Sequence, residues 1–327
     1  MKPRIGFLGV GWIGQHRMRA VIESGHAEVA AIAEPAAELR AQAAALAPGA
    51  QQVDSLEALL DLQLDGVAIA TPSAQHAVQS LAALERGLAV FCQKPLARSA
   101  EETRAVVDAA RRADRRLDVD FSYRKTRALE AIKGVLASGE LGPIYAARFV
   151  FHNAYGPDKP WYYQRALSGG GCVMDLGIHL VDSALWLLDR PKLARVTSAL
   201  YAKGARLTAG SDAVEDYAVA QLETDGGCLV ELACSWNLPA GTDAVIGAEL
   251  YGPHGGVAFR NVNGSFYDFV AERMHGTQRE VLVSPPDEWG GRAAVSFAES
   301  LTRSSRFDES ATELIEVAET LDRIYGK

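Results

Sequence analysis

Over residues 4–121, short apolar bursts alternate with helical patterns. This alternation constrains the fold more than any other feature of the chain. The candidate strands are 4–8, 28–33, 65–71, 88–92 and 117–121, and the candidate helices are 13–24, 35–46, 74–86 and 100–113. Strands separated by whole helices pair through βαβ crossovers, giving a parallel sheet with helices on its faces. Pro35 suits the first turn of its helix, where a missing N–H costs nothing. Gly87 marks the end of the helix before the fourth strand.

The rhythm changes near residues 122–125. Residues 126–142 read as a helix ended by Gly139 or Gly142, and 173–188 as another. Candidate strands follow at 194–202, 213–223, 227–236, 244–251, 256–260, 265–271 and 279–283. Short turns such as TDGG and GPHGG join several of them, which favours antiparallel pairing. Helices at 288–303 and 310–324 close the chain. Two domains are expected, 1–123 of α/β type with a parallel sheet and 124–327 of α+β type.

A chain of 327 residues, 48% hydrophobic and 23% charged, can bury a core in each. The net charge of −8 argues against a nucleic-acid partner, which would need a basic face. Arg111, Arg112, Arg115 and Arg116 stand near Asp108 and Asp114 at a helix end and read as a solvated face. No apolar run reaches the roughly 18 residues of a membrane span. Three glycines break up the apolar amino terminus, which reads against a cleaved leader. Cys92, Cys172, Cys228 and Cys234 form no CxxC pair, so free, mostly buried thiols in a reducing cytoplasm are expected.

The first strand runs into GVGWIG, which sets Gly9, Gly11 and Gly14 in GxGxxG ahead of a helix. Gly9 allows a tight turn, Gly11 lets backbone approach a pyrophosphate, and Gly14 permits close helix–strand packing. The helix N-terminus, with Trp12 and Ile13, then presents N–H groups to phosphate. Glu34 ends the second strand and can accept both ribose hydroxyls of NAD while repelling the 2′-phosphate of NADP. The plainer reading is a glycine turn beside a solvated Glu34.

A second constellation lies in SGGGCVMDLGIHLVD, where Asp175 and His179 are four apart and share a helix face. An Asp can orient an imidazole for proton transfer near neutral pH. A hydrogen-bonded structural pair is the alternative. A zinc site is a third reading, disfavoured because no second ligand cluster has suitable spacing. Lys94 follows an apolar strand and precedes Pro95, which fixes the local backbone; its strand ends at the sheet edge where a cofactor would bind. The ordinary alternative is a surface lysine. Thr71, Pro72 and His76, after the neighbouring strand, can face the same crevice.

GVGWIG, ATPSAQHA, CQKPLA, FSYRKTRALEAIKGVLASGELGPI and GGGCVMDLGIHLVD together resemble the Gfo/Idh/MocA oxidoreductases in order and spacing. The resemblance spans essentially the whole chain. It implies a Rossmann domain followed by a large, mostly antiparallel, open-faced sheet that often forms the contact of a homodimer or homotetramer. It implies a tightly held nicotinamide cofactor and hydride transfer to or from a sugar or polyol; Glu34 makes that cofactor NAD, NADP less so. The family's catalytic lysine falls on Lys94 and its Asp-x-x-x-His pair on Asp175 and His179. Tyr123, Arg124, His152, Trp161, Tyr162 and Arg165 are the implied substrate walls. An NAD-using glycoside hydrolase and a non-catalytic cofactor-binding regulator are the alternative functions within the family. Two departures stand out: Thr71-Pro72-Ser73 replaces the family's Thr-Pro-Asn, and Gln93 replaces the Glu of its Glu-Lys-Pro. Gln keeps hydrogen-bonding groups at that place but adds no charge, so Gln93→Glu is expected to raise the lysine limb of a pH–rate profile.

Overall fold

A computed structural model describes residues 2–208 and 211–327. It divides the chain into two units. One runs to Ser122 and includes Gly290–Ala318; the other holds Tyr123–Trp289 and Glu319–Lys327.

The first unit is built on a six-stranded sheet of β1 (Arg4–Leu8), β2 (Glu28–Ala33), β3 (Gln51–Val53), β4 (Gly66–Ile69), β5 (Ala89–Cys92) and β6 (Leu117–Val119). The spatial order is β3-β2-β1-β4-β5-β6, and every pairing is parallel. The order reverses between β1 and β4, which opens a crevice at the carboxyl ends of those strands. The helices are α1 (Trp12–Ser24), α2 (Ala37–Leu46), α3 (Leu56–Leu60), α4 (Ser73–Glu85) and α5 (Ala100–Ala113). Local chemistry sets the bounds of α5. Ser99 accepts the Glu102 N–H, acids occupy the first turn, arginines the last, and left-handed Asp114 ends it. Helix α2 begins at Ala37, two residues after Pro35. The Glu34 carboxylate takes the Ala36 N–H at 3.1 Å and holds Pro35 in a turn outside the helix.

The core of this unit gathers Ile5, Phe7, Ile32 and Phe91 with Phe297 and Leu301 from the helix Arg292–Arg303. Phe91 and Phe297 sit 5.6 Å apart, ring to ring. Gly291 admits Ala20 of α1 so closely that a Cβ there would lie 2.2 Å from its methyl. The first segment of this unit ends at Ser122. Residues 290–318, assigned from sequence to the second domain, complete the first core instead.

The second unit carries β7 (Ala146–Asn153), β8 (Leu193–Ala202), β9 (Ala205–Arg206), β10 (Tyr217–Thr224), β11 (Leu229–Ser235), β12 (Ala244–Gly252), β13 (Gly255–Asn261), β14 (Phe269–His275) and β15 (Gln278–Val283). They form one sheet in the order β15-β14-β13-β12-β7-β11-β10-β8-β9, antiparallel except where β7 lies parallel to β11. Along β10, Ala218, Ala220 and Leu222 are buried while Val219, Gln221 and Glu223 are exposed, the period of two of a sheet covered on one face. Helices α6 (Arg127–Ser138) and α8 (Ile178–Leu187) pack on the sheet, with the short α7 (Arg165–Ser168) between them in sequence. Helices α9 (Arg292–Arg303) and α10 (Glu313–Ile324) end the chain. Among the described residues, no helix is long and apolar enough to cross a membrane.

Candidate active site

The glycine loop has the shape its spacing predicts. Gly9 holds φ at +81°, and a Cβ there would press on the Ala70 carbonyl at 2.7 Å. A Cβ on Gly14 would lie 2.2 Å from the Gly9 carbonyl oxygen, so α1 can approach β1 only with glycine at that position. In front of Gly11 nothing lies within 4 Å of such an atom, which leaves room for a ligand against the backbone. No side chain caps α1, and Trp12 in its first turn is 66% exposed. Glu34 is buried; its Oε2 accepts the Val10 N–H at 3.1 Å, so its carboxylate sits beside the loop. Bare N–H groups, open space and an adjacent acid fit a dinucleotide.

Lys94 follows β5 in a partly buried turn whose Lys94–Pro95 bond is cis. His76, 1% exposed, grips this turn. Its Nδ1 lies 2.7 Å from the Pro95 carbonyl and its Nε2 2.6 Å from that of Thr71. Both ring nitrogens are therefore engaged by protein, and neither faces outward to a cofactor as the sequence reading expected. The ring ties together the two loops that end β4 and β5. Burial lowers its pKa, ahead of the two carbonyls that raise it. Thr71 hydrogen-bonds Gln79 at 2.5 Å, and Pro72 is the N-cap residue of α4. Gln93 is buried, and its Nε2 donates to Asp120 Oδ2.

In the second unit the segment 173–188 is not one uniform helix. Val173–Gly177 forms a π-helical turn that carries Asp175, and α8 begins with Ile178 and His179. Wider turns of this kind recur at functional sites. Trp236 donates its indole N–H to Asp175 Oδ2 at 3.1 Å. His179 is 8% exposed and packs edge-on to Tyr123, ring centroids 4.9 Å apart, with Phe151 at 6.2 Å. Burial, then the charges of Tyr267 and Asp175, push the Tyr123 hydroxyl well above its ordinary pKa. Trp161 and Tyr162 stack at 3.8 Å, and Tyr162 meets Trp236 edge-on at 6.2 Å. Burial, then Asp175, raises the Tyr162 hydroxyl. Tyr123 thus packs on His179, Trp236 holds Asp175, and Tyr162 meets Trp236 with Trp161 stacked behind it.

Three expected walls stand elsewhere or are occupied. His152 lies on the uncovered face of the sheet, stacked with Tyr217 and 2.8 Å from the Ser235 hydroxyl. Strand periodicity puts it opposite Phe151, which faces His179. Arg124 forks onto Asp182, itself 1% exposed, with contacts of 2.5 to 3.0 Å, which ties the turn Ser122–Lys125 to α8. Arg165 donates to the Ser211 carbonyl at 3.0 Å and lies over the Tyr325 ring.

The description "Oxidoreductase family, NAD-binding Rossmann fold" matches residues 3–121, and "GFO/IDH/MocA C-terminal domain" matches 129–258. The chain belongs to the Gfo/Idh/MocA oxidoreductases. It is 30% identical over 311 residues to the rhizopine catabolism protein MocA of Rhizobium meliloti, covering 91% of this chain and 94% of that one. It is 30% identical over 263 residues to the 1,5-anhydro-D-fructose reductase of Ensifer adhaerens, covering 79% and 76%. Among solved structures, levoglucosan dehydrogenase in complex with NADH superposes with a TM-score of 0.84 at 22% identity, over 100% of this chain and 96% of that one. The first unit of this Gfo/Idh/MocA chain is accordingly an NAD-binding Rossmann domain.

Three side chains of this Gfo/Idh/MocA chain escape a reading by motif: Asp120 in the first unit, and Trp236 and Glu215 in the second. Glu215 is fully buried, and its Oε1 accepts from Gly171 N–H at 2.8 Å, Val173 N–H at 3.0 Å and the Tyr325 hydroxyl at 2.7 Å. It anchors the start of the turn that bears Asp175. Burial pushes its carboxyl above the ordinary value of 4.5, against the Tyr325 hydroxyl and the backbone N–H groups that favour ionisation. A raised folded pKa means the folded chain holds this proton more tightly than the unfolded chain. The group's contribution to stability therefore falls as pH rises through 4.5 towards the raised value. Thermal melts across that window should show wild-type stability declining relative to Glu215→Gln; parallel curves would refute the assignment. Among the described residues, no three His, Cys, Asp or Glu side chains gather as a metal ion would require.

Proposed function

We propose that this chain is an NAD-dependent dehydrogenase or reductase acting on a carbinol of a sugar, polyol or sugar derivative. The observation that carries the reading is the glycine loop. Gly14 is pressed on Gly9, space is open before Gly11, and the Glu34 carboxylate lies against the Val10 N–H. Glu34, Gly11 and the N-terminus of α1 would hold the adenosine ribose and the pyrophosphate. The bound nicotinamide supplies the hydride acceptor, or the donor in the reverse direction. His179 takes the proton of the substrate hydroxyl as its carbon is oxidised and returns it in reduction. Lys94 donates a hydrogen bond to the same oxygen and steadies its developing negative charge. Asp175, already oriented by Trp236, positions the substrate or the imidazole. The aromatic rings of Trp161, Tyr162 and Tyr123 offer flat apolar faces to a sugar. The names of the relatives, which include inositol 2-dehydrogenases and a D-glucoside 3-dehydrogenase, support this substrate class. The uncovered sheet face supports assembly into a homodimer or homotetramer.

The test is NADH formation across aldoses, ketoses, glycosides and inositols. No NADH with any of them, but cleavage of a nitrophenyl glycoside with catalytic NAD, would replace this reading with the hydrolase. Binding of a metabolite without turnover would replace it with the regulator. In the same assay, Glu34→Ala is expected to weaken NAD by about tenfold, the worth of a charge-assisted hydrogen bond or two. It should also narrow the preference for NAD over NADP. An unchanged cofactor ratio would remove Glu34 from the ribose.

A further inference from the structure

The turn that bears Lys94 rests on a buried ionic contact that none of the motifs contains. Asp120 follows β6 as Gln93 follows β5, and the parallel register pairs Cys92 with Val119. The Asp120 N–H donates to the Cys92 carbonyl at 2.9 Å, so Gln93 and Asp120 emerge side by side at the carboxyl edge of the sheet. Asp120 is 1% exposed. Its Oδ2 accepts from Arg17 Nε at 2.6 Å and from the Gln93 amide. Arg17, buried on the inner side of α1, also reaches His16 Nδ1 at 3.0 Å. Among the described residues, Asp120 Oδ1 is buried without a hydrogen-bond partner.

The charges decide which residue types fit. One arginine and one aspartate make a neutral buried pair, which low dielectric tolerates. A glutamate at 93 would set a second carboxylate against Asp120 at the place where the Gln93 amide now donates to it, a costly arrangement. An amide adds no charge, and it supplies the donor a carboxylate requires. The acid that the sequence lacks at position 93 is therefore present in space at position 120. The same contact joins three elements of the first unit: α1, which begins at the glycine loop, β6, and the lysine turn.

We propose that Asp120 is the positioning residue of the lysine turn, holding Lys94 in place through Gln93 and tying that turn to α1 through Arg17. This rests on the catalytic role given to Lys94 above. The test is a double-mutant cycle in the full-length chain: Asp120→Asn, Gln93→Glu and the two together. Each variant is measured for kcat, KM, NAD affinity by calorimetry, and melting temperature without cofactor. Either single change should lower kcat by about tenfold or more, since sub-ångström displacement of a reacting group costs that much, with KM changed far less. Each should also lower the melting temperature. The pair restores one carboxylate and one amide across the contact, and should bring kcat back to within about threefold of wild type and recover most of the melting temperature, the non-additivity expected of touching partners. Singles with wild-type kcat, or a double variant no better than the worse single, would overturn the role of Asp120 and leave that of Lys94 standing. A wild-type chain that turned over no sugar or polyol would overturn the reading of Lys94 itself. In that case the melting cycle would still decide whether Gln93 and Asp120 act as a pair.

Discussion

Replacing His179 with alanine is expected to lower kcat by about 10²–10⁴-fold, the usual contribution of a positioned acid or base. NAD affinity should stay close to wild type, because the glycine loop and Glu34 belong to the first unit and His179 to the second. The substitution also removes a ring packed between Tyr123 and Phe151. Loss of buried volume costs stability in its own right, so His179→Gln serves as the companion variant. It retains most of the bulk and a hydrogen-bonding end but cannot take up a proton near neutral pH. Both variants should be inactive, with the glutamine form melting closer to wild type. An active glutamine variant would move the acid–base role to another group, and a matching loss of NAD binding would show a disturbed fold rather than lost chemistry.

The second large effect is expected at Gly171. A Cβ at this position would lie 1.9 Å from the Glu215 carbonyl oxygen and 2.7 Å from a Val214 methyl. The carbonyl cannot yield freely, because it accepts the Cys172 N–H at 3.0 Å. Gly171→Ala should therefore push the glycine segment away from Glu215 and loosen both N–H contacts to its carboxylate. Overpacking against backbone costs about 3 kcal/mol, or on the order of 6–12 °C in melting temperature for a unit of this size. Activity should fall as well, since the displaced segment leads directly into the turn that holds Asp175. A melting temperature within a degree or so of wild type would show that the segment has slack the structure does not reveal. At Gly170 a Cβ would lie 1.9 Å from the Tyr325 hydroxyl, which itself donates to Glu215, so alanine there should disturb the same anchor through a side chain in place of backbone.

Much of the first unit was legible in the sequence, for local reasons. Strands Arg4–Leu8 and Glu28–Ala33 and helix Ala100–Ala113 occur with the predicted bounds. Buried parallel strands are short apolar runs, and α5 announces its start with Ser99 and its end with Asp114. The second unit was harder to read where structure depends on distant partners. Strand β7 was not foreseen, although it lies at the centre of the sheet. Both its neighbours, β11 and β12, come some 80 residues or more later in the chain. The strand predicted at 265–271 begins instead at Phe269. The Ser265 hydroxyl accepts the N–H groups of Tyr267 and Asp268 and holds those residues in a turn. Helix α9 starts at Arg292 and not 288, after the Gly290–Gly291 pair and after Trp289 has donated to the Tyr267 carbonyl.

The same division runs through the site. Gly9, Gly14, Asp175 and His179 carry their meaning in spacing along one element. Asp120, Trp236 and Glu215 carry theirs in contacts with residues 27, 61 and 44 positions away. No local pattern marks such residues, and Asp120 reads in sequence as one more residue at a strand end. His152 shows the reverse error. Its neighbour Phe151 does face His179, and a shift of one residue along a strand is enough to change faces.

The return of residues 290–318 to the first unit bears on how the protein is made. The ribosome completes all six strands of the parallel sheet by Val119, yet Phe297 and Leu301 are still to be synthesised. At about 5–20 residues per second, the nascent chain waits roughly nine to thirty-six seconds for them. Throughout that interval Phe91 lacks the ring it meets in the finished core, and the inner side of α1 lacks its packing partner. The cofactor domain begins first and closes only after most of the second unit has been made. A fragment cut at residue 122 would present that unfinished surface permanently, so a stable minimal NAD-binding piece needs 290–318 joined back to it.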